Sequence, residues 1–195
     1  MTQNLINRII TSIILLSLLF LVNFSNQYIF ILSILILGIF ICIEAHNLFL
    51  KLYSTMYSKK TYAFKQLNTK FLILNILTFF YIFFIFCNFS YEIYITEGPV
   101  FFLYIVSICF FTDIGGYAAG KIIGGKKLSK ISPNKTISGT IGSFILSIVP
   151  LLLILNFDHL NLKFNLQNLI FCLFVSFISQ LGDLFISLIK RKAKI

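Results

Sequence analysis

The 195-residue chain is 58% hydrophobic and only 11% charged, with a mean hydropathy of +0.96 and a formal net charge of +10. A soluble domain of this size carries about 25% charged and about 45–50% apolar residues, so an aqueous fold is excluded and a bilayer is the expected solvent. The positive charge does not point to nucleic acid, because the basic residues cluster in short segments between apolar runs and form no basic amphipathic helix.

In chain order, apolar runs that are long enough to span a bilayer, or nearly so, occupy 9–22, 28–43, 71–87, 99–119, 138–155 and 168–189. A helix rises about 1.5 Å per residue and the hydrocarbon core is about 30 Å thick, so about 20 residues are needed. The first run follows Arg8 as a signal peptide would. However, no small-x-small cleavage site comes after it and the second run begins almost at once, so it is expected to remain a membrane helix. The heavily basic connections are 44–70 (Lys51, Lys59, Lys60, Lys65, Lys70), 120–137 (Lys121, Lys126, Lys127, Lys130, Lys135) and the tail (Lys190, Arg191, Lys192, Lys194). They alternate with 23–27, 88–98 and 156–167, which carry little or no positive charge. This pattern predicts an all-α polytopic membrane bundle of about six transmembrane helices with both termini cytoplasmic. The chain is expected to form a single membrane domain over 1–195, with 1–70 supplying the N-terminal spans and a basic cytoplasmic loop. Cys42, Cys87, Cys109 and Cys172 lie inside apolar runs without a CxxC pair and read as small buried hydrophobes. His46 and His159 stand alone, which argues against a histidine metal site.

Two carboxylates fall inside predicted spans, Asp113 in the fourth and Asp183 in the sixth. An ionised group in hydrocarbon is costly, which makes each of them a functional candidate. Asp113 precedes Lys121 by eight residues and Asp183 precedes Lys190 by seven, so both are expected about 10–12 Å inside the cytoplasmic boundary. Two carboxylates from different helices at one level suit a divalent cation with oxygen ligands. Ser176, Ser179, Gln180, Asp183 and Ser187 recur at helical spacing as one polar stripe, and Asp113, Gly116, Tyr117, Gly120 and Lys121 share a face. The Gly116–Gly120 spacing is a small-xxx-small pair, a close-packing device between membrane helices. The loop at 120–142 mixes glycine, hydroxyls and lysine, a composition that can cradle phosphates through backbone amides and point charges. Gly115–Lys121 fits the start of a P-loop, but Ile122 stands where a magnesium-binding hydroxyl is required and no strand precedes it.

Together these residues resemble the phosphatidate cytidylyltransferases, the CDP-diacylglycerol synthases of the membrane CTP-transferase family. The resemblance covers essentially the whole chain. It rests on Arg8, Glu44, Asp113-Ile-Gly-Gly-Tyr117-Ala-Ala-Gly120-Lys121, Ser132-Pro133-Asn-Lys135-Thr136-Ile-Ser-Gly139 and Leu181-Gly182-Asp183, in the family's order and at similar spacing. Ser138 stands where relatives usually carry Glu or Gln. Ser187, Ile189, Lys190 and Arg191 match the start of the family's C-terminal signature, which should continue to His-Gly-Gly and Asp-Arg-x-Asp segments. The sequence stops at Ile195, so 71–195 reads as a partial catalytic region of a C-terminally truncated member.

The resemblance implies transfer of a cytidylyl group from CTP to phosphatidate in phospholipid biosynthesis, at the cell's inner (cytoplasmic) membrane. Asp113, Asp183, Lys121 and Lys135 are then the expected catalytic residues, with Asp183 and Asp113 holding Mg2+. Ser132, Thr136, Gly139, Lys190 and Arg191 are the expected substrate contacts. Membrane lipids are expected around the chain, a homodimer is compatible with this reading, and no nucleic acid partner is expected. A CTP-dependent kinase of lipid alcohols, a non-catalytic remnant or partner subunit, and a small ion carrier built on Asp113 and Asp183 stay open as alternatives. The CDP-alcohol phosphotransferases are disfavoured, because their Asp-Gly-x-x-Ala-Arg motif is absent.

Overall fold

The computed structural model describes residues 2–57, 64–128, 135–154 and 164–193. Among these the secondary structure is helical, apart from one isolated antiparallel bridge between Lys127 and Thr136. The helices are α1 (Thr2–Asn23), α2 (Gln27–Tyr57), α3 (Phe64–Phe80), α4 (Asn88–Thr96), α5 (Pro99–Ile122), α6 (Ile137–Leu146), α7 (Val149–Ile154) and α8 (Leu166–Lys192), with a π-helical segment, Tyr81–Cys87, joining α3 to α4. Four stretches are long and apolar enough to cross a membrane: Gln27–Ser54, Thr69–Thr96, Pro99–Ile122 and Leu166–Lys192. The chain is a polytopic α-helical membrane protein. Its large apolar side chains face outward along these helices, as at Leu21, Tyr28, Phe40 and Phe84, and acyl chains are their natural cover.

The remaining two apolar runs form shorter helices, Ile10–Asn23 and Ile137–Leu153. The second is interrupted at Ser147–Ile148, between α6 and α7. Pro150 sits in the first turn of α7, where its missing N–H breaks no bond that the new helix needs, but it cannot continue the ladder of α6. At the other extreme, α2 has 31 residues and extends well past the expected end of the second span, so Glu44 lies inside a helix and not at its terminus. At about 1.5 Å per residue, that helix exceeds the thickness of the hydrocarbon core.

Lipid tails are as apolar as leucine, so helix association here depends on close packing and interhelical hydrogen bonds. One buried cluster joins Phe30, Ile34, Ile82, Cys87 and Tyr94, with the Phe30 and Tyr94 rings stacked at 3.8 Å between centroids. The Tyr94 hydroxyl donates to the carbonyls of Asn23 and Ser25, and the Asn23 side-chain amide donates to the carbonyl of Pro99 at 2.8 Å. These bonds tie the α1–α2 turn to the α4–α5 turn. A second cluster joins Tyr104, Ile108, Leu151 and Cys172, in which the Tyr104 hydroxyl and the Cys172 Sγ lie 3.0 Å apart. It fixes α5 against α7 and α8 at the level above the site. All four cysteines are free thiols.

Candidate active site

The site begins with glycine. Gly115 and Gly116 on α5 lie against Gly139, Gly142 and Ser143 on α6, so closely that side chains are excluded between them. A Cβ at Gly142 would come within 2.8 Å of the Gly115 carbonyl oxygen, and one at Gly139 within 2.8 Å of the Gly116 carbonyl oxygen. Such distances are below any real Cβ contact, and both obstacles are backbone, which cannot swing away. The Ser143 hydroxyl completes the junction by donating to the Thr112 carbonyl at 2.8 Å. The small-xxx-small pair expected at Gly116 and Gly120 is therefore a packing surface, and it also includes Gly115.

This contact lays the polar residues of α6 beside Asp113. Thr136 caps α6, its hydroxyl accepting from the Gly139 amide at 3.1 Å, and Gly139, Thr140 and Ser143 follow it at helical spacing. They line a cleft of about 340 Å³ with Thr112, Asp113, Gly116 and Tyr117 of α5 and Gln180 and Asp183 of α8. Lys135 enters from the connection before α6, and its ammonium donates to Asp183 Oδ2 at 3.0 Å. The Asp183 side chain is 53% exposed, so this ion pair adds little to stability, on the order of 0–1 kcal/mol. Asp113 makes no hydrogen bond or ion pair with the described residues, although it projects from a spanning helix. Two carboxylates against one cation leave the cleft with a formal deficit of one positive charge.

The two carboxylates also lie equally far from the C-terminal ends of their helices. Asp113 lies nine residues before Ile122, the end of α5, and Asp183 nine residues before Lys192, the end of α8. The structure thus brings together Asp113, Asp183, Lys135, Thr136 and Gly139 of the residues singled out in the sequence. It does not bring Lys121, Lys190 or Arg191 to the cleft lining. Lys121 turns back along α5, its ammonium 3.3 Å from the Tyr117 hydroxyl and 5.5 Å from the centre of that ring. Lys190 and Arg191 lie in the last turn of α8, and Ser132 falls outside the described residues. In the polar stripe of α8, Gln180 donates to Ser176 at 3.3 Å and faces the cleft, whereas Ser187 is satisfied by the Leu184 carbonyl of its own helix.

Thr112, Thr140 and Ser143 were not expected at the site. The spacing Thr136, Gly139, Thr140, Ser143 is one face of a helix and could have revealed two of them. Ser138, where relatives usually carry a longer acidic or amide side chain, points elsewhere: its hydroxyl bonds the Gly124 carbonyl and lies 3.0 Å from the Thr136 hydroxyl. A second cavity of about 430 Å³ lies between α2 and α3, lined by Cys42, His46, Asn75 and Phe79 among others. It holds no carboxylate or lysine. Its polar pair is mutually satisfied, with His46 Nδ1 and Asn75 Oδ1 2.9 Å apart.

Among the described residues no group of three or more His, Cys, Asp or Glu side chains converges, so a cation here would rest on the two carboxylates alone. Oxygen donors of this kind suit Mg2+, which binds through one or two carboxylates and completes its shell with waters and substrate phosphates. The donor set of the cleft therefore fits that ion.

A sequence profile of the cytidylyltransferase family matches residues 47–195, a stretch that contains every cleft residue. The chain belongs to the cytidylyltransferase family. Several relatives that align directly carry the name phosphatidate cytidylyltransferase. One from Staphylococcus aureus (strain COL) is 42% identical over 98 residues, which is 49% of this chain and 37% of the relative. One from Staphylococcus haemolyticus is 39% identical over 97 residues, with the same coverage, and one from Bacillus subtilis (strain 168) is 35% identical over 95 residues, or 48% of this chain and 35% of the relative. The aligned part thus spans little more than a third of these relatives' own length. No solved structure matches the chain.

Proposed function

We propose that this family member transfers the cytidylyl group of CTP to phosphatidate, giving CDP-diacylglycerol and pyrophosphate. The observation that carries the proposal is the meeting of Asp113, Asp183, Lys135 and Thr136 in one cleft within spanning helices. The names of the aligned relatives support the same chemistry.

In this reaction a phosphate oxygen of the lipid attacks the α-phosphorus of CTP. The bond from that phosphorus to the bridging α–β oxygen breaks, and pyrophosphate leaves with the electron pair. Phosphoryl chemistry of this kind depends on positioning and charge neutralisation more than on covalent catalysis. Lys135 is placed to pair with a phosphate by exchanging its partner, Asp183, for the incoming anion. The Thr140 hydroxyl lines the cleft and would donate to phosphate oxygens by leaving the Ile137 carbonyl that it bonds at 2.7 Å, while Thr136 holds the N-terminus of α6 toward it. Asp113 and Asp183 would hold Mg2+, whose charge, when bound, would offset that gathering on the phosphates. Lys121, Lys190, Arg191 and Ser132 stay in the proposal as phosphate contacts outside the described cleft lining.

Two features of setting belong to the same reading. The basic ends of α5 and α8 argue for the inner (cytoplasmic) membrane with those ends toward the cytoplasm, where CTP is available. For assembly the reading admits a homodimer, which light scattering of the solubilised chain would measure.

The test uses CTP labelled separately in the nucleoside and in the γ-phosphate, with the chain in phosphatidate-containing vesicles. Nucleoside label entering the lipid is the expected result. Label entering only from the γ-phosphate would replace this proposal with a lipid kinase. Within the assay, Lys135→Ala is expected to raise the KM for CTP by about tenfold or more, the equivalent of one charge-assisted contact of about 1.5–3 kcal/mol. Its unfolding temperature should stay near that of the parent, because the pair with the exposed Asp183 side chain adds little to stability. An unchanged CTP dependence would remove Lys135 from the site.

A further inference from the structure

The connection leaving α5 has a composition that the cleft does not use. Ile122 is 83% exposed, the highest value among the large apolar side chains of the described residues, and Ile123 is 71% exposed. Directly after them come Gly124 and Gly125, with φ of 63° and 106°, then the exposed lysines Lys126 and Lys127. Left-handed backbone at two successive positions reverses the chain at little cost only where both residues are glycine. The returning segment is bonded to the segment that enters α6. Leu128 N donates to the Lys135 carbonyl at 2.8 Å, Ile137 N donates to the Lys126 carbonyl at 3.0 Å, and the Ser138 hydroxyl bonds the Gly124 carbonyl. Several of the turn's peptide groups are thus satisfied within the protein.

We propose that Ile122–Lys127 is a membrane-surface element that seats its two isoleucines at the acyl boundary and binds anionic phospholipid headgroups through Lys126 and Lys127, beside the mouth of the cleft. Three observations carry this. First, α5 has 24 residues, more than the hydrocarbon core requires, so Ile122 and Ile123 fall at the interface and not in open water. Second, peptide groups bonded within the protein can approach the bilayer without a desolvation penalty, which an open loop would incur. Third, the sequence holds no Asp or Glu between Asp113 and Asp158, so the ammonium groups of Lys126 and Lys127 have no acidic partner nearby in the chain. On the cleft side Asp183 is taken by Lys135, and lipid phosphate is the complementary charge on the outer side. Exposed isoleucine beside lysine is the pattern of an interfacial anchor, with aliphatic groups in the acyl region and ammonium groups among the headgroups. The bridge between Lys127 and Thr136 joins this element directly to the residues that supply the cleft's cation. The lysines of the connection therefore divide, with Lys135 turned to the cleft and Lys126 and Lys127 to the lipid.

The chain contains no tryptophan, so Ile123→Trp gives a fluorescent reporter without background. In bilayers of phosphatidylcholine and phosphatidylglycerol, one lipid is brominated on its acyl chains and then the other, and quenching of the reporter is compared. The expected result is stronger quenching by brominated phosphatidylglycerol at equal mole fraction, with a preference of about fivefold for each lysine. Lys126→Ala and Lys127→Ala together should bring the preference close to unity while helical content by circular dichroism stays that of the parent. A reporter that neither brominated lipid quenches would overturn the proposal, as would a preference that survives both substitutions. Loss of the preference in inorganic phosphate, but not in chloride of equal ionic strength, would also overturn it by assigning the site to free phosphate. Lipid preference is read without turnover, so this result and the fate of the cytidylyl-transfer proposal are separable.

Discussion

Asp183→Asn is expected to lower CDP-diacylglycerol formation at least about a hundredfold while leaving membrane insertion and helical content intact. Losing a group one shell away from a bound metal costs about 10–100-fold, and Asp183 is proposed as the ligand itself, so the effect should lie at or beyond the top of that range. The carboxamide has the same shape and sits on an exposed stretch of α8, so packing is not disturbed. It removes a negative charge and frees the Lys135 ammonium, which now meets a neutral acceptor. The measurement is product formation from labelled CTP, in the 195-residue chain and in a fusion continuing it with the C-terminal region of the Staphylococcus aureus relative. Activity within severalfold of the parent in both would remove Asp183 from the chemistry.

Gly142→Val is the change expected to damage the fold most. Adding methylenes to a packed interior costs about 1–3 kcal/mol when side chains can shift. Here the new carbon meets the Gly115 carbonyl and the Ala119 methyl, and the carbonyl belongs to the backbone of a spanning helix. The cost should reach or exceed the top of that range, seen as a clear drop in unfolding temperature in detergent and loss of a monodisperse peak. Gly182→Ala is the matched control. Nothing lies within 4 Å of a Cβ built there, and alanine favours a helix over glycine by about 1 kcal/mol. That variant should unfold at the parent's temperature or above it. Equal unfolding temperatures for Gly142→Val and the parent would mean that α5 and α6 are not in backbone contact.

Which helices exist, and which of their residues do not belong in lipid, was legible in the sequence because hydropathy and charge are local properties. Asp113 and Asp183 stood out by cost alone, and their similar distances from the basic helix ends, eight and seven residues, indicated a common level. Which faces meet was less legible. Periodicity grouped Asp113 with Tyr117 and Lys121, and the Lys121 side chain takes the Tyr117 ring four residues before it in place of the cleft, a choice between two partners that spacing alone does not make. The Lys135–Asp183 pair joins residues 48 apart, and no local pattern encodes it. The division of the fifth apolar run into α6 and α7 could have been read from Pro150, whose effect on a helix ladder is fixed by covalent structure. The π-helical segment Tyr81–Cys87 had no such marker, since its residues are ordinary apolar ones.

The walls of the cleft differ mechanically. Along α5 and α6 the main chains touch through glycine and are pinned by Ser143, so the spacing between Asp113 and the α6 N-terminus is rigid. Beyond Ser176, α8 has no fully buried residue of its own; it is held there by the Ser179 bond to Cys109 of α5 and by the buried Ala193 just past its end. One wall is thus packed backbone to backbone, and the other, which carries Asp183, is held through side chains. The gap between the carboxylates is thus set on one side by main-chain contact and on the other by side chains, the Lys135–Asp183 pair among them.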